Sequence, residues 1–101
     1  MSDALSNPQK RYLRGLAHDL KPVLMVGAKG VSPSLVAELE LALELHELIK
    51  LKVAAEDRES RDAMIAELAE KSAATLVSRI GHTAVFYRRS KDKPLVILPK
   101  G

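Results

Sequence analysis

Apolar and polar positions along the chain fall into blocks whose period changes from helix-like to strand-like. Asn7-Pro8 opens a first helix, with Tyr12, Leu13, Leu16 and Ala17 as its apolar stripe. Pro22 disfavours helical geometry at Lys21, so that helix ends near Asp19. Val23 to Val26 is a continuous apolar run, the pattern of a strand buried on both faces. Ser32-Pro33 reads as an N-cap and first helical position, and Leu35, Val36, Leu39, Ala42 and Leu43 carry a second helix to about His46. From Leu48 to Ala54 the period is two: Ile49, Leu51 and Val53 share one face, Lys50 and Lys52 the other, wet one. A third helix spans roughly Arg58 to Ser72, with Met64, Ile65 and Leu68 on one stripe. Two strands follow, about Thr75 to Ile80 and Thr83 to Arg88, joined near Gly81-His82, and Leu95 to Leu98 can add a short edge strand before Pro99.

The order α-β-α-β-α-β-β predicts a small α/β two-layer sandwich with a mixed sheet. Right-handed β-α-β crossovers should build parallel pairing, and the last hairpin should add an antiparallel strand. At 101 residues one domain is expected, and no repeat, low-complexity tract or linker divides it.

Between the first apolar run and the second helix lies Gly27-Ala28-Lys29-Gly30. Glycines at both ends allow a sharp turn and close approach of a ligand to the backbone. Unpaired N–H groups at the following helix start, with Lys29 beside them, favour an anion. In a basic chain this points to a nucleic-acid phosphate. The net charge of +3 conceals a strong asymmetry. Lys and Arg outnumber Asp and Glu by 5 to 2 in residues 1–30 and by 7 to 1 in residues 71–101, but are outnumbered 10 to 4 in residues 31–70. An acidic side and a basic side follow, the basic one suited to a polyanion. Lys21, Lys50 and Lys52, with Arg88, Arg89, Lys91 and Lys93 near the C-terminal hairpin, are its candidate contacts; Lys10, Arg11 and Arg14 on the first helix are weaker ones.

Other chemistries find little support. With no cysteine, a disulfide or a thiolate metal site is impossible, and His18, His46 and His82 lack ligand spacing. No longer Walker-type glycine loop and no nucleophile elbow occurs, and the helical carboxylates lack the apolar surroundings that raise a catalytic pKa. A non-enzyme without cofactor, metal or small-molecule substrate is therefore expected. No secretory signal is evident in residues 1–7, and no apolar run approaches the roughly 20 residues that span a bilayer, so a cytoplasmic protein is expected, without a membrane partner. Nothing points to an obligate oligomer, and a monomer is the expectation. Tyr12, Phe86 and Tyr87 are the only aromatics, too few for extensive base stacking, which favours phosphate and shape recognition.

Four pieces in order, Arg14-Gly-Leu-Ala-His18 with Lys21-Pro22, then Val26-Gly-Ala-Lys-Gly30, then His46-Glu-Leu-Ile-Lys-Leu-Lys52, then Ile80-Gly81 with Val85-Phe-Tyr-Arg88, resemble the CRM domain, the chloroplast RNA splicing and ribosome maturation family. They are most similar to its free-standing bacterial, YhbY-like members, over about residues 9–98. The resemblance implies a fold similar to the C-terminal domain of translation initiation factor three, RNA binding, and association with ribosomal RNA in precursors of the large ribosomal subunit. The family's G-x-x-G loop, likened to that of KH domains, falls on Gly27, Ala28, Lys29 and Gly30. One departure is the turn Lys71-Ser-Ala-Ala74, where a glycine is expected to cap the third helix. A rival expectation is a module that docks on a ribosomal protein or assembly factor through acidic helices bearing Glu38, Glu40, Glu44, Glu67 and Glu70.

Overall fold

A computed structural model describes residues 5–27, 30–55 and 57–89. The proposed edge strand Leu95–Leu98, and Ala28, Lys29, Lys91 and Lys93, lie outside them. The elements are α1 (Asn7–Ala17), β1 (Leu24–Val26), α2 (Pro33–His46), β2 (Leu48–Val53), α3 (Arg58–Ser72), β3 (Thr75–Ile80) and β4 (Thr83–Tyr87). Each helix begins at a side-chain cap. In α1, Gln9 N–H donates to Ser6 Oγ (3.2 Å) and Ser6 N–H to Gln9 Oε1 (3.0 Å), a reciprocal capping box. In α2, Leu35 N–H donates to Ser32 Oγ (3.1 Å), with Pro33 in the first turn. In α3, Ser60 N–H donates to the Asp57 carboxylate (2.9 Å), and that hydrogen bond holds the carboxyl below its ordinary pKa.

The sheet order is β1-β2-β4-β3. Among the described residues only β1 and β2 pair in parallel; β4 pairs antiparallel with both β2 and β3. The expected parallel contact between β2 and β3 is absent because β4 is inserted between them. Its residues Ala84, Val85, Phe86 and Tyr87 are all buried, so the most apolar strand takes a central place. Polar Thr75, Ser78 and Arg79 go to the edge with β3. The continuous apolar run of β1 also reads differently in three dimensions. It forms the opposite edge, where Val26 is buried but Met25 is 65% exposed.

Alternation along β2 and β4 divides the core. Ile49, Leu51, Val53, Ala84 and Phe86 face α2 and α3, packing with Leu39, Leu43, Ile65 and Leu68. Leu48, Val85 and Tyr87 face the other way, against Leu13 and Ala17 of α1, with Val77. The helix α1 therefore shields part of the face that α2 and α3 leave free.

Candidate nucleic-acid interface

Strand directions bring the C-terminal ends of β1 and β2 and the β3–β4 turn to one end of the sheet. The Gly27–Gly30 turn is at that end. It is closed by Gly30 N–H donating to the Gly27 carbonyl oxygen (3.1 Å), and Gly30 has a φ of 88°, a conformation that favours glycine. Beside it Ala54 N–H donates to the Val26 carbonyl (2.8 Å) and Val53 N–H to that of His82 (2.7 Å). Arg61 Nη1 lies 3.0 Å from His82 Nε2. A guanidinium can only donate, so this imidazole nitrogen accepts and the ring proton is assigned to Nδ1.

On the α1 side, pairing sets the residues in rows. Leu48 and Tyr87 lie beneath the helix. The next row is Lys50, Val85 and Ser78, and the outermost is Met25, Lys52, Thr83 and Ile80. Since α1 ends at Ala17, it leaves the outer rows open. A groove of about 500 Å³ results, lined by Arg14, Gly15, Ala17 and His18 above and Lys50, Ser78, Ile80, Thr83 and Val85 below. None of these residues is a carboxylate.

Charge divides between the two layers. On the α2 and α3 side, cations meet carboxylates: Arg79 Nε and Asp62 Oδ1 are 3.0 Å apart, Lys71 Nζ and Glu67 Oε2 2.9 Å, and Arg58 Nε and Asp62 Oδ2 3.9 Å. Among the described residues, Arg14, Lys21, Lys50 and Lys52 have no ion-pair partner. The sequence asymmetry is thus an asymmetry of faces.

Of the residues chosen from sequence, Gly27, Gly30 and Lys52 lie towards one end of the sheet, Lys50 is one row further in on β2, and Lys21 is exposed in the segment leading to β1. Arg88 gives way to a packing role. It follows the far end of β4, where its guanidinium donates to the Ser72 carbonyl (2.9 Å) and approaches Glu40 Oε1 (3.6 Å) and Glu44 Oε1 (3.9 Å). The exposed Arg89 stands at that same far end. Sequence reasoning ranked Arg14 low and gave His18 only a helix end, yet both line the groove. Their i, i+4 spacing was the available signal, since it puts them on one helix face. Nothing in the local pattern marked Ser78, Thr83 or Ile80.

Among the described residues no helix is long and apolar enough to cross a membrane, and no group of three His, Asp or Glu side chains could hold a metal ion.

Comparison with known proteins agrees with this architecture. The chain is 47% identical over 88 residues to a protein of Haemophilus influenzae named an RNA-binding protein, covering 87% of this chain and 89% of that one. It is 38% identical over 95 residues to the Bacillus subtilis protein named probable RNA-binding protein YqeI, covering 94% and 99%. The solution structure of a hypothetical protein from Staphylococcus aureus superposes with a TM-score of 0.82 at 34% identity, over 95% of this chain and all of that one. The sequence pattern of the CRS1/YhbY (CRM) domain matches residues 5–88, and with the α/β fold and mixed four-stranded sheet in place, the chain belongs to that family.

Proposed function

We propose that this is a non-catalytic, cytoplasmic RNA-binding protein that holds structured ribosomal RNA during assembly of the large ribosomal subunit. The observation that carries the reading is a set of cations without ion-pair partners among the described residues: Arg14 and Lys50 on a groove none of whose lining residues is a carboxylate, and Lys52 one row further out on the same face of β2. Unpaired cations gathered on one face form an electrostatic footprint for a polyanion, whereas cations matched to neighbouring carboxylates do not. RNA-binding names among the relatives support the same partner. In this reading Lys29 supplies charge within the loop and backbone N–H groups supply direction, as KH-type loops do for backbone nucleotides.

Salt titration tests it. Each lost phosphate contact flattens the slope of log affinity against log salt by roughly 0.7–0.9, so a Lys50→Glu, Lys52→Glu double variant is expected to bind ribosomal RNA weakly with a shallower slope. Lys29→Glu should weaken binding sharply with little change in thermal stability. Absence of RNA binding by the unaltered protein at low salt would overturn the reading. It would favour docking on a basic ribosomal protein through α2, where Leu41 and Leu45 stand exposed near Glu38 and Glu44.

A further inference from the structure

The groove between α1 and the sheet has a composition that phosphate binding alone does not explain. Ile80, at its mouth, is 78% exposed, and Met25, at the opposite edge of the same cross-strand row, is 65% exposed. Large aliphatic side chains standing open among cations contribute nothing to attraction for phosphate. They mark a surface that an apolar group covers.

A β-bulge builds this floor. Leu76 pairs with Phe86, but the next pair in register is Ser78 with Val85, leaving Val77 as the extra residue of β3. Without that shift, Ser78 and Ile80 would point towards α2 and α3. With it, both share the α1 face with Val85 and Thr83, while Arg79 turns to the other side and meets Asp62 at 3.0 Å. Bulges re-aim side chains in this way beside binding sites. The half-buried hydroxyls of Ser78 and Thr83 therefore flank an apolar floor, and neither has a side-chain hydrogen-bond partner among the described residues.

An aliphatic floor, two hydroxyls and a rim of Arg14, His18 and Lys50 match the parts of one nucleotide: a base face, a base edge and a phosphate. We propose that this groove seats a single unstacked nucleotide of a single-stranded RNA segment, its base over Ile80 and its edge hydrogen-bonded to Ser78 and Thr83. A volume of about 500 Å³ falls in the range of small-molecule sites, of order 300–1,000 Å³, and admits a splayed-out nucleotide but not a duplex. The proposal rests on the RNA-binding reading and adds to it a demand for an unpaired position on the α1 face of the sheet. Phe86 and Tyr87 are buried, so aliphatic packing replaces the usual aromatic platform.

Gly15 offers a plug that removes no charge. It lies on α1 and lines the groove, and a Cβ placed on it meets no atom within 4 Å. Affinity is measured for a single-stranded oligoribonucleotide and for a blunt RNA duplex at one salt concentration, with melting curves confirming that each variant is folded. Gly15→Leu should lower affinity for the single strand about tenfold and leave duplex affinity unchanged. Ile80→Ser, altering an exposed position, should act in the same direction should the plug impair folding. Equal effects on both RNAs, or no effect on either, would overturn the nucleotide site, as would an unaltered protein that binds only duplex. An unaltered protein that binds neither RNA would remove the RNA-binding reading itself.

Discussion

Arg88 Nη1 donates to the Ser72 carbonyl oxygen at 2.9 Å, joining the chain just beyond β4 to the last turn of α3. The same guanidinium donates from Nη2 to the Glu40 carbonyl (3.4 Å), and Arg88 N–H donates to the Glu47 carbonyl (2.9 Å). One residue thus links α2, α3 and β4, and it supplies a donor to the Ser72 carbonyl, which at the end of α3 has none from its own helix. Removing the side chain leaves that acceptor unmatched, so Arg88→Ala should lower stability by about 1–3 kcal/mol. Most of this should come from the carbonyl contacts, because exposed ion pairs such as those to Glu40 and Glu44 contribute little. Denaturant unfolding measures the loss. At temperatures where the variant stays folded its RNA affinity should be unchanged, the reverse of the pattern expected for Lys52→Ala.

Two glycines of the same turn are held for different reasons. Gly30 has a φ of 88°, and a Cβ there would lie 3.8 Å from Met64 Cε, so space exists but the backbone conformation is strained for any other residue. Gly30→Ala should cost about 1–2 kcal/mol. Gly27 is exposed, has no positive φ, and a Cβ there meets nothing within 4 Å. Gly27→Ala should therefore melt like the unaltered protein yet bind RNA less well, since the added methyl would obstruct only a ligand pressed against the backbone. Unchanged RNA affinity in Gly27→Ala would mean that the ligand does not approach that closely.

Much of the fold is legible in sequence because its signals are local. Ser32-Pro33 marks the start of α2, and the two-residue period of Leu48–Val53 reports a strand with one wet face. The order of strands in the sheet is not local. Whether β3 or β4 lies beside β2 depends on which strand gains more by burial on both faces, a comparison between segments rather than a property of either. The edge position of β1 escaped for the same reason: an apolar run reads as buried whether or not anything covers Met25. For the candidate site, the Gly27–Gly30 turn and Lys50 with Lys52 were visible as spacing and alternation. The part played by Ser78 and Ile80 was hidden, because the bulge at Val77 reverses the parity on which alternation depends.

The missing glycine after α3 leaves a measurable mark. Ala73 takes the left-handed conformation there, with φ 57° and ψ 28°, and its N–H donates to the carbonyls of Ala69 and Glu70. Ala74 N–H also donates to the Ala69 carbonyl (3.1 Å), so the helix closes as a glycine-capped one does, with a Cβ held in an unfavourable place. Ala73→Gly should raise stability by about 1 kcal/mol. In a domain of this size that corresponds to a melting temperature higher by about 4–8 °C. A lower melting temperature would show that unfolded-state entropy outweighs the relief of strain.

Tyr87 places a hydroxyl where no hydrogen-bond partner reaches it among the described residues. Its ring packs in the core beneath α1, and only 5% of the residue is exposed. Burial pushes the phenol above its ordinary pKa of 10.0; the negative charge of Glu47 acts in the same direction and Arg89 opposes it. The folded state therefore holds this proton more tightly than the unfolded chain does. Stability linked to it is fully present below the unfolded value near pH 10 and falls as pH rises through the higher folded value. Tyr87→Phe removes the titration and the orphan hydroxyl together while keeping the ring. At neutral pH the variant should be as stable as the unaltered protein or more so by about 1 kcal/mol, and above pH 10 its stability should decline less steeply. Thermal melting across the alkaline range distinguishes the outcomes: clear destabilisation at neutral pH would reveal a partner for the hydroxyl, and parallel alkaline slopes would assign the loss to other groups.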